Sequence, residues 1–93
     1  MLEKEVEKYL VREIKKLGGV SFKFISPGNA GVPDRIVILS TGKVVFVELK
    51  TDKGKLTKLQ ESQIRKISGL GAEVKVLYGI EGVKKFINEI QST

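Results

Sequence analysis

Residues Gly31 to Thr51 read GVPDRIVILSTGKVVFVELKT: two apolar runs around Ser40-Thr41-Gly42, with charged side chains at the ends away from the loop. Ile36-Val37-Ile38-Leu39 and Val44-Val45-Phe46-Val47 are apolar at every position, so both predict central strands covered on both faces, not alternating half-exposed ones. The strands are expected over Asp34 to Leu39 and Lys43 to Lys50. Asp34, Glu48 and Lys50 are the residues that such strands do not explain.

The loop decides which way those three residues point. A three-residue loop with glycine at the left-handed position is a favoured hairpin, and Ser40-Thr41-Gly42 fits it. It pairs Leu39 with Lys43, Ile36 with Phe46 and Asp34 with Glu48. A two-residue Thr-Gly loop would instead set Asp34 against Leu49 and turn the two carboxylates to opposite faces. The three-residue loop is the expectation taken forward.

Upstream of this hairpin, Leu2, Val6, Leu10, Ile14 and Leu17 recur at helical spacing and Gly18-Gly19 supplies a stop, which predicts a helix over residues 2–17. Glu3, Glu5 and Glu7 crowd its first turns, where negative charge suits the positive end of the helix dipole. Val20 to Ile25 reads as a short strand with Val20, Phe22 and Phe24 on one side. Ser26 to Pro33 is a loop whose small residues would let a nucleic-acid backbone come close.

Downstream, Thr51 to Leu56 is a polar, lysine-rich connection, and Thr57 with Gln60 three residues on is a capping-box signature opening a second helix. Gln60, Ile64 and Ile67 share one face of it. Val74, Val76 and Tyr78 alternate as a fourth strand, and Val83, Phe86, Ile87 and Ile90 mark a C-terminal amphipathic helix. The order is α-β-β-β-α-β-α: an α/β fold with a mixed sheet flanked by helices, in a single domain over residues 1–93.

Composition narrows the chemistry. The chain has no histidine and no cysteine, which removes disulfides, thiol nucleophiles, zinc clusters and histidine acid/base work. Catalysis then falls to carboxylates, lysine and a hard metal. Seventeen Lys and Arg against eleven Asp and Glu give a formal charge of +6, which favours polyanionic partners such as nucleic acid. Gly42-Lys43 and Gly54-Lys55 are followed by Val and Leu, not Ser or Thr, so no phosphate-binding loop and no nucleotide cofactor is indicated. No apolar run approaches the roughly 18 residues of a membrane helix, and the acidic start is unlike a signal peptide, so no membrane association and a cytoplasmic location are expected.

Along the third strand Val44, Phe46, Glu48 and Lys50 share one side, and Asp34 opposite Glu48 adds a second carboxylate with its Cβ about 5 Å away. Two carboxylates this close repel one another unless a cation sits between them. A hard divalent ion such as Mg2+ satisfies the pair, with the Leu49 carbonyl as a further ligand. Lys50, beside Glu48, is placed to orient or deprotonate a water and to offset charge on a phosphorane-like transition state. Lys53, Lys55 and Lys58, just past it, are candidate phosphate contacts.

Pro33-Asp34 followed by Glu48-Leu49-Lys50 resembles the PD-(D/E)xK nuclease signature. With Gly31-Val32-Pro33-Asp34-Arg35, Val47-Glu48-Leu49-Lys50-Thr51 and Gly54-Lys55-Leu56-Thr57-Lys58-Leu59-Gln60, the chain is similar to the virus-type replication-repair nucleases, VRR-NUC. The resemblance implies a restriction-endonuclease-like core, Asp34, Glu48 and Leu49 as metal ligands, Lys50 as the catalytic lysine and Gln60 beside the site. It also implies a metal-site glutamate from the first helix. Glu3 matches the family's spacing to Val6, and Glu7, one turn on, is the alternative. Stand-alone members look like four-way-junction resolvases, which implies a homodimeric, Mg2+- or Mn2+-dependent endonuclease acting on branched DNA such as Holliday junctions. The rival reading is a non-catalytic nucleic-acid-binding domain on the same fold.

Overall fold

The computed structural model describes residues 2–92, so the two end residues of the expected 1–93 domain lie outside the described residues. Its elements are α1 (Glu3–Lys16), β1 (Val20–Lys23), β2 (Arg35–Ile38), β3 (Val44–Lys50), α2 (Lys58–Gly69), β4 (Glu73–Tyr78) and α3 (Gly79–Gln91). The order is the expected α-β-β-β-α-β-α.

The central hairpin adopts the three-residue loop. Gly42 has φ of 90°, a left-handed value that glycine tolerates without strain. Its N–H donates to the Leu39 carbonyl at 2.8 Å, while the Leu39 N–H donates to the Lys43 carbonyl at 2.9 Å. Ile36 then stands opposite Phe46, and Arg35 opposite Val47. One further step along this register sets Asp34 across from Glu48.

The four strands lie in the order β1-β2-β3-β4. The first three are antiparallel, β1 and β2 joined by the loop of residues 24–34 and β2 and β3 by the tight turn at Gly42, whereas β4 returns parallel to β3 after the α2 crossover. On one face of the sheet Val37, Val45, Val47, Leu49 and Leu77 meet Val6, Leu10 and Ile14 of α1 and Val83, Phe86 and Ile87 of α3, all buried. The i, i+4 spacing of Val6, Leu10 and Ile14 aligns them on one side of α1, so the helix contributes a continuous apolar stripe to this core.

The opposite face departs from expectation. β2 and β3 are central in the strand order, but among the described helices α2 is the one over that side, against β4, and none of its residues is buried. Ile36, Ile38 and Phe46 are half-buried, and Val20, Phe22 and Val44 are 43, 56 and 45% exposed. One 12-residue helix cannot span four strands, and it lies over the β4 side. The apolar β1 and β2 side chains of this face are left uncovered.

β1 ends at Lys23, short of the expected Ile25. The Phe24 N–H still donates to the Asp34 carbonyl at 2.8 Å, which ties β1 to the residue just before β2. α3 begins at Gly79, immediately after β4 and earlier than its apolar spacing suggested.

Candidate active site

Asp34 stands at the mouth of β2, held by the buried side chain of Pro33 before it and by buried Arg35 after it. The Leu49 N–H approaches its Oδ1 at 3.4 Å. In an extended strand the N–H and C=O of one residue point to the same side, so the Leu49 carbonyl faces the Asp34 side of β3. The Leu49 side chain goes the other way, into the core.

Glu48 is the anomaly that the sequence announced: a carboxylate in mid-sheet, 4% exposed. Its Oε2 accepts a hydrogen bond from Gln60 Nε2 at 3.1 Å and lies 3.7 Å from Lys50 Nζ. Burial pushes its pKa up to about 7, the Asp34 charge adds to the rise, and Lys50 opposes it. Asp34 rises to about 6, again chiefly through burial, with the Leu49 hydrogen bond opposing and the charges of Glu3 and Glu7 adding. Desolvated acidic groups side by side destabilise their own ionised forms. The donor set is all hard oxygen, and it carries more negative charge than its surroundings balance, which fits a hard divalent cation.

Gln60 is wired at both ends of its amide. Oε1 accepts from the Thr57 N–H at 2.9 Å, the Gln60 N–H donates to Thr57 Oγ1 at 3.1 Å, and Nε2 is thereby aimed at Glu48. The capping box that starts α2 is therefore also what orients the amide. α2 can come this close because Gly31, with φ of 88°, has no side chain: a Cβ there would lie 2.8 Å from the Leu59 Cγ. The space at Gly31 is filled by α2 and is not open to a nucleic-acid backbone as expected, whereas nothing lies within 4 Å of a Cβ at Gly28.

The two first-helix glutamates differ in their surroundings. Glu7 is engaged: its Oε1 pairs with Arg35 Nη1 at 3.3 Å. Glu3 is exposed, and its charge acts on both Asp34 and Glu48. Among the described residues, no three acidic side chains converge closely enough to form a ready metal cage. Lys53 and Lys55 line an open hollow of about 640 Å³ with Asp52, Leu56, Glu61 and Tyr78, next to the end of β3. Lys58, the exposed first residue of α2, is not part of it.

Arg35 was singled out by no sequence argument. Only 6% exposed, it donates through Nε to Ser21 Oγ at 3.1 Å and through Nη2 to the Ser21 carbonyl at 3.0 Å, besides pairing with Glu7. One guanidinium thus joins α1, β1 and β2 directly behind Asp34. The available signal was an arginine in an otherwise apolar strand.

The model of the VRR-NUC domain family matches residues 3–81, which is most of the chain. This chain belongs to the VRR-NUC family. The domain is 47% identical over 75 residues to a protein named "Putative nuclease p44" from Acyrthosiphon pisum secondary endosymbiont phage 1, with 81% of each chain covered. A solved VRR-NUC domain superposes with a TM-score of 0.87 at 33% identity, covering 92% of this chain and 94% of that one. A second, a VRR-NUC domain protein, shares the fold with a TM-score of 0.74 at 22% identity over 98% of this chain and 86% of its own. The chain is a nuclease domain of the VRR-NUC type.

Proposed function

We propose that this VRR-NUC domain is an endonuclease that hydrolyses DNA phosphodiester bonds with Mg2+ or Mn2+, working as a homodimer on branched DNA such as four-way junctions. The observation that carries the reading is the Asp34–Glu48 pair: two desolvated carboxylates sharing a strand register, both with raised pKa, with Lys50 3.7 Å from Glu48. Asp34, Glu48 and the Leu49 carbonyl would hold the cation, with Glu3 the first-helix glutamate nearest in charge to both. When bound, such an ion neutralises the phosphate oxygens and makes a water a stronger nucleophile.

The chain's own groups do the rest. Gln60 donates to Glu48, which favours the ionised carboxylate and fixes its rotamer. The Lys50 ammonium, 16% exposed at the side chain, directs hydrogen bonds and positive charge toward the phosphate or the attacking water. Lys53, Lys55 and Lys58 meet the DNA backbone by charge, with no base-specific readout in the set.

The test is incubation of end-labelled four-way junctions, flaps and linear duplexes with the protein and Mg2+ or Mn2+. Incisions are expected, favouring the junction, and they should vanish with chelator. In Lys50→Ala cleavage should fall by about 100-fold or more while DNA affinity stays within about two-fold. Binding by the wild type with no incision on any substrate would overturn the enzyme reading in favour of a non-catalytic nucleic-acid-binding domain. Equal cutting of linear duplex and junction would overturn the preference for branched DNA.

A further inference from the structure

Beside Lys50 the chain carries an exposed aromatic side chain that the hydrolysis above does not use. Tyr78 ends β4 and stands directly across from Lys50 at the end of β3, just as Val76 stands across from Glu48. Partners in a parallel pair point to the same face of the sheet, so Tyr78 rises on the side that holds Glu48 and Lys50, one strand spacing of about 4.8 Å from the lysine. It is 40% exposed.

Tyr78 is one wall of the open hollow of about 640 Å³ past the end of β3. Half-buried Leu56 adds apolar surface to it, and Glu61, the residue after Gln60 on α2, lines it as well. The chain around the hollow is braced at both ends. The Gly54 N–H donates to the Thr51 carbonyl at 3.0 Å, closing a turn so near Lys50 that a Cβ on Gly54 would lie 3.2 Å from the Lys50 Cβ. At the other end Gly79, with φ of 64°, lets Asp52 pack against it: a Cβ there would lie 3.2 Å from the Asp52 Cβ. The connection is thus pinned between Lys50 and the end of β4.

We propose that this hollow receives one unstacked nucleobase of the DNA strand being cut, laid on the Tyr78 ring, from a nucleotide next to the scissile phosphate. The proposal deepens the reading as a DNA endonuclease and rests on it for the identity of the polymer.

The lining selects a base over a phosphate. Lys53 and Lys55 are matched there by Asp52 and Glu61, so the formal charges cancel and a lone phosphate gains little. An aromatic face with a leucine beside it suits a flat π-system, and stacking accepts any base because every base has a π face. The spacing agrees as well. One strand spacing of about 4.8 Å lies between one and two rises of about 3.4 Å along a DNA strand, so a phosphate held at Lys50 puts a neighbouring nucleotide within reach of Tyr78.

In continuous duplex each base is covered on both faces by its neighbours, and drawing it out breaks its pair and its stacks. At a branch point the stack is already interrupted, so a base turns out at small cost. The hollow thus supplies a physical source for a preference for branched DNA that needs no reading of sequence.

The test is binding in chelator, where no strand is cut, measured by fluorescence anisotropy on a four-way junction and on linear duplex. Tyr78→Ala should weaken junction binding by about five-fold or more, the lower end of what losing one base–aromatic stack costs, and leave duplex binding within about two-fold. Tyr78→Trp should bind the junction as wild type does. An abasic site in place of the branch nucleotides, one at a time, should at one position cost wild type the same factor and cost Tyr78→Ala nothing further. Equal loss on junction and duplex, no loss on either, or an abasic penalty that adds in full to that of Tyr78→Ala overturns the proposal.

Should Tyr78→Ala fail to fold, wild type decides alone. 5-Iododeoxyuridine at each branch nucleotide in turn, irradiated in the complex, should crosslink to Tyr78 as located by mass spectrometry. No crosslink, or crosslinks confined to residues outside the hollow, overturn the proposal. Cleavage is read separately. A protein that crosslinks through Tyr78 but cuts no substrate with Mg2+ or Mn2+ keeps the base site and loses the nuclease proposal, whereas junction cutting and binding that are unchanged in Tyr78→Ala keep the nuclease and overturn the base site.

Discussion

The charges around Asp34 and Glu48 separate the two first-helix glutamates by experiment. Glu3→Gln is expected to lower cleavage by about ten-fold or more while moving Tm little, because the side chain is exposed and its charge acts on the carboxylate pair. Glu7→Gln should do the reverse, lowering Tm by removing its ion pair with buried Arg35 and affecting cleavage less. Paired kinetics and thermal melts on both variants check this, and a drop in Tm confined to Glu3→Gln would sink it. The same carboxylates give the metal-free protein a pH signature. Their folded pKa values, about 6 for Asp34 and about 7 for Glu48, exceed the ordinary 3.8 and 4.5, so the folded chain binds more protons between about pH 4 and 7. Stability from this source is fully present below about pH 4 and is lost as the pH rises to about 7. In chelator, Tm should fall over that window. Glu48→Gln should flatten the fall and stabilise the metal-free protein at pH 8 by on the order of 2 kcal/mol, while abolishing cleavage. A wild-type Tm that climbs from pH 4 to 7 would contradict the assignment.

α2 has two jobs joined at its first turn: crossover between β3 and β4, and support for Glu48 through Gln60. Thr57→Ala removes the acceptor for the Gln60 N–H and should cost about 1 kcal/mol. It should also lower cleavage several-fold by loosening the amide that meets Glu48, and Thr57→Ser should restore both. Lower stability with no change in rate would show that the cap serves the helix alone. The sequence spoke clearly here, since Thr57 and Gln60 at capping spacing are a local pattern whose geometry is settled within four residues. The central hairpin was legible for the same reason: Ser40-Thr41-Gly42 supplies its own turn chemistry, and that turn sets Asp34 across from Glu48. Arg35 was not legible, because its partners Glu7 and Ser21 are remote in the chain and only the packed fold brings them together. The open face was misread for a related reason. A run such as Val44-Val45-Phe46-Val47 states that both sides avoid water, but not whether a helix of the same chain or another molecule does the covering.

The whole molecule is basic, and Lys53, Lys55 and Lys58 place part of that charge just past the end of β3, which bears on how it would meet DNA. Binding should weaken steeply with salt, and replacing Lys53, Lys55 and Lys58 together by Gln should reduce the log–log slope by roughly 2 to 3, at about 0.9 for each duplex phosphate that a lysine no longer neutralises. Titrations by fluorescence anisotropy across a salt series check this, and an unchanged slope would place the phosphate-binding groups elsewhere. The division of the sheet into a closed face and an open one has a further consequence, in the order in which the protein is made. Asp34, Glu48, Lys50 and Gln60 all leave the ribosome before α3, yet Val83, Phe86 and Ile87 of α3 complete the core on which β2 and β3 rest. A growing chain therefore carries every reactive group of the site while it still lacks the scaffold that aligns them. Alignment of the site therefore waits until α3 has joined the core.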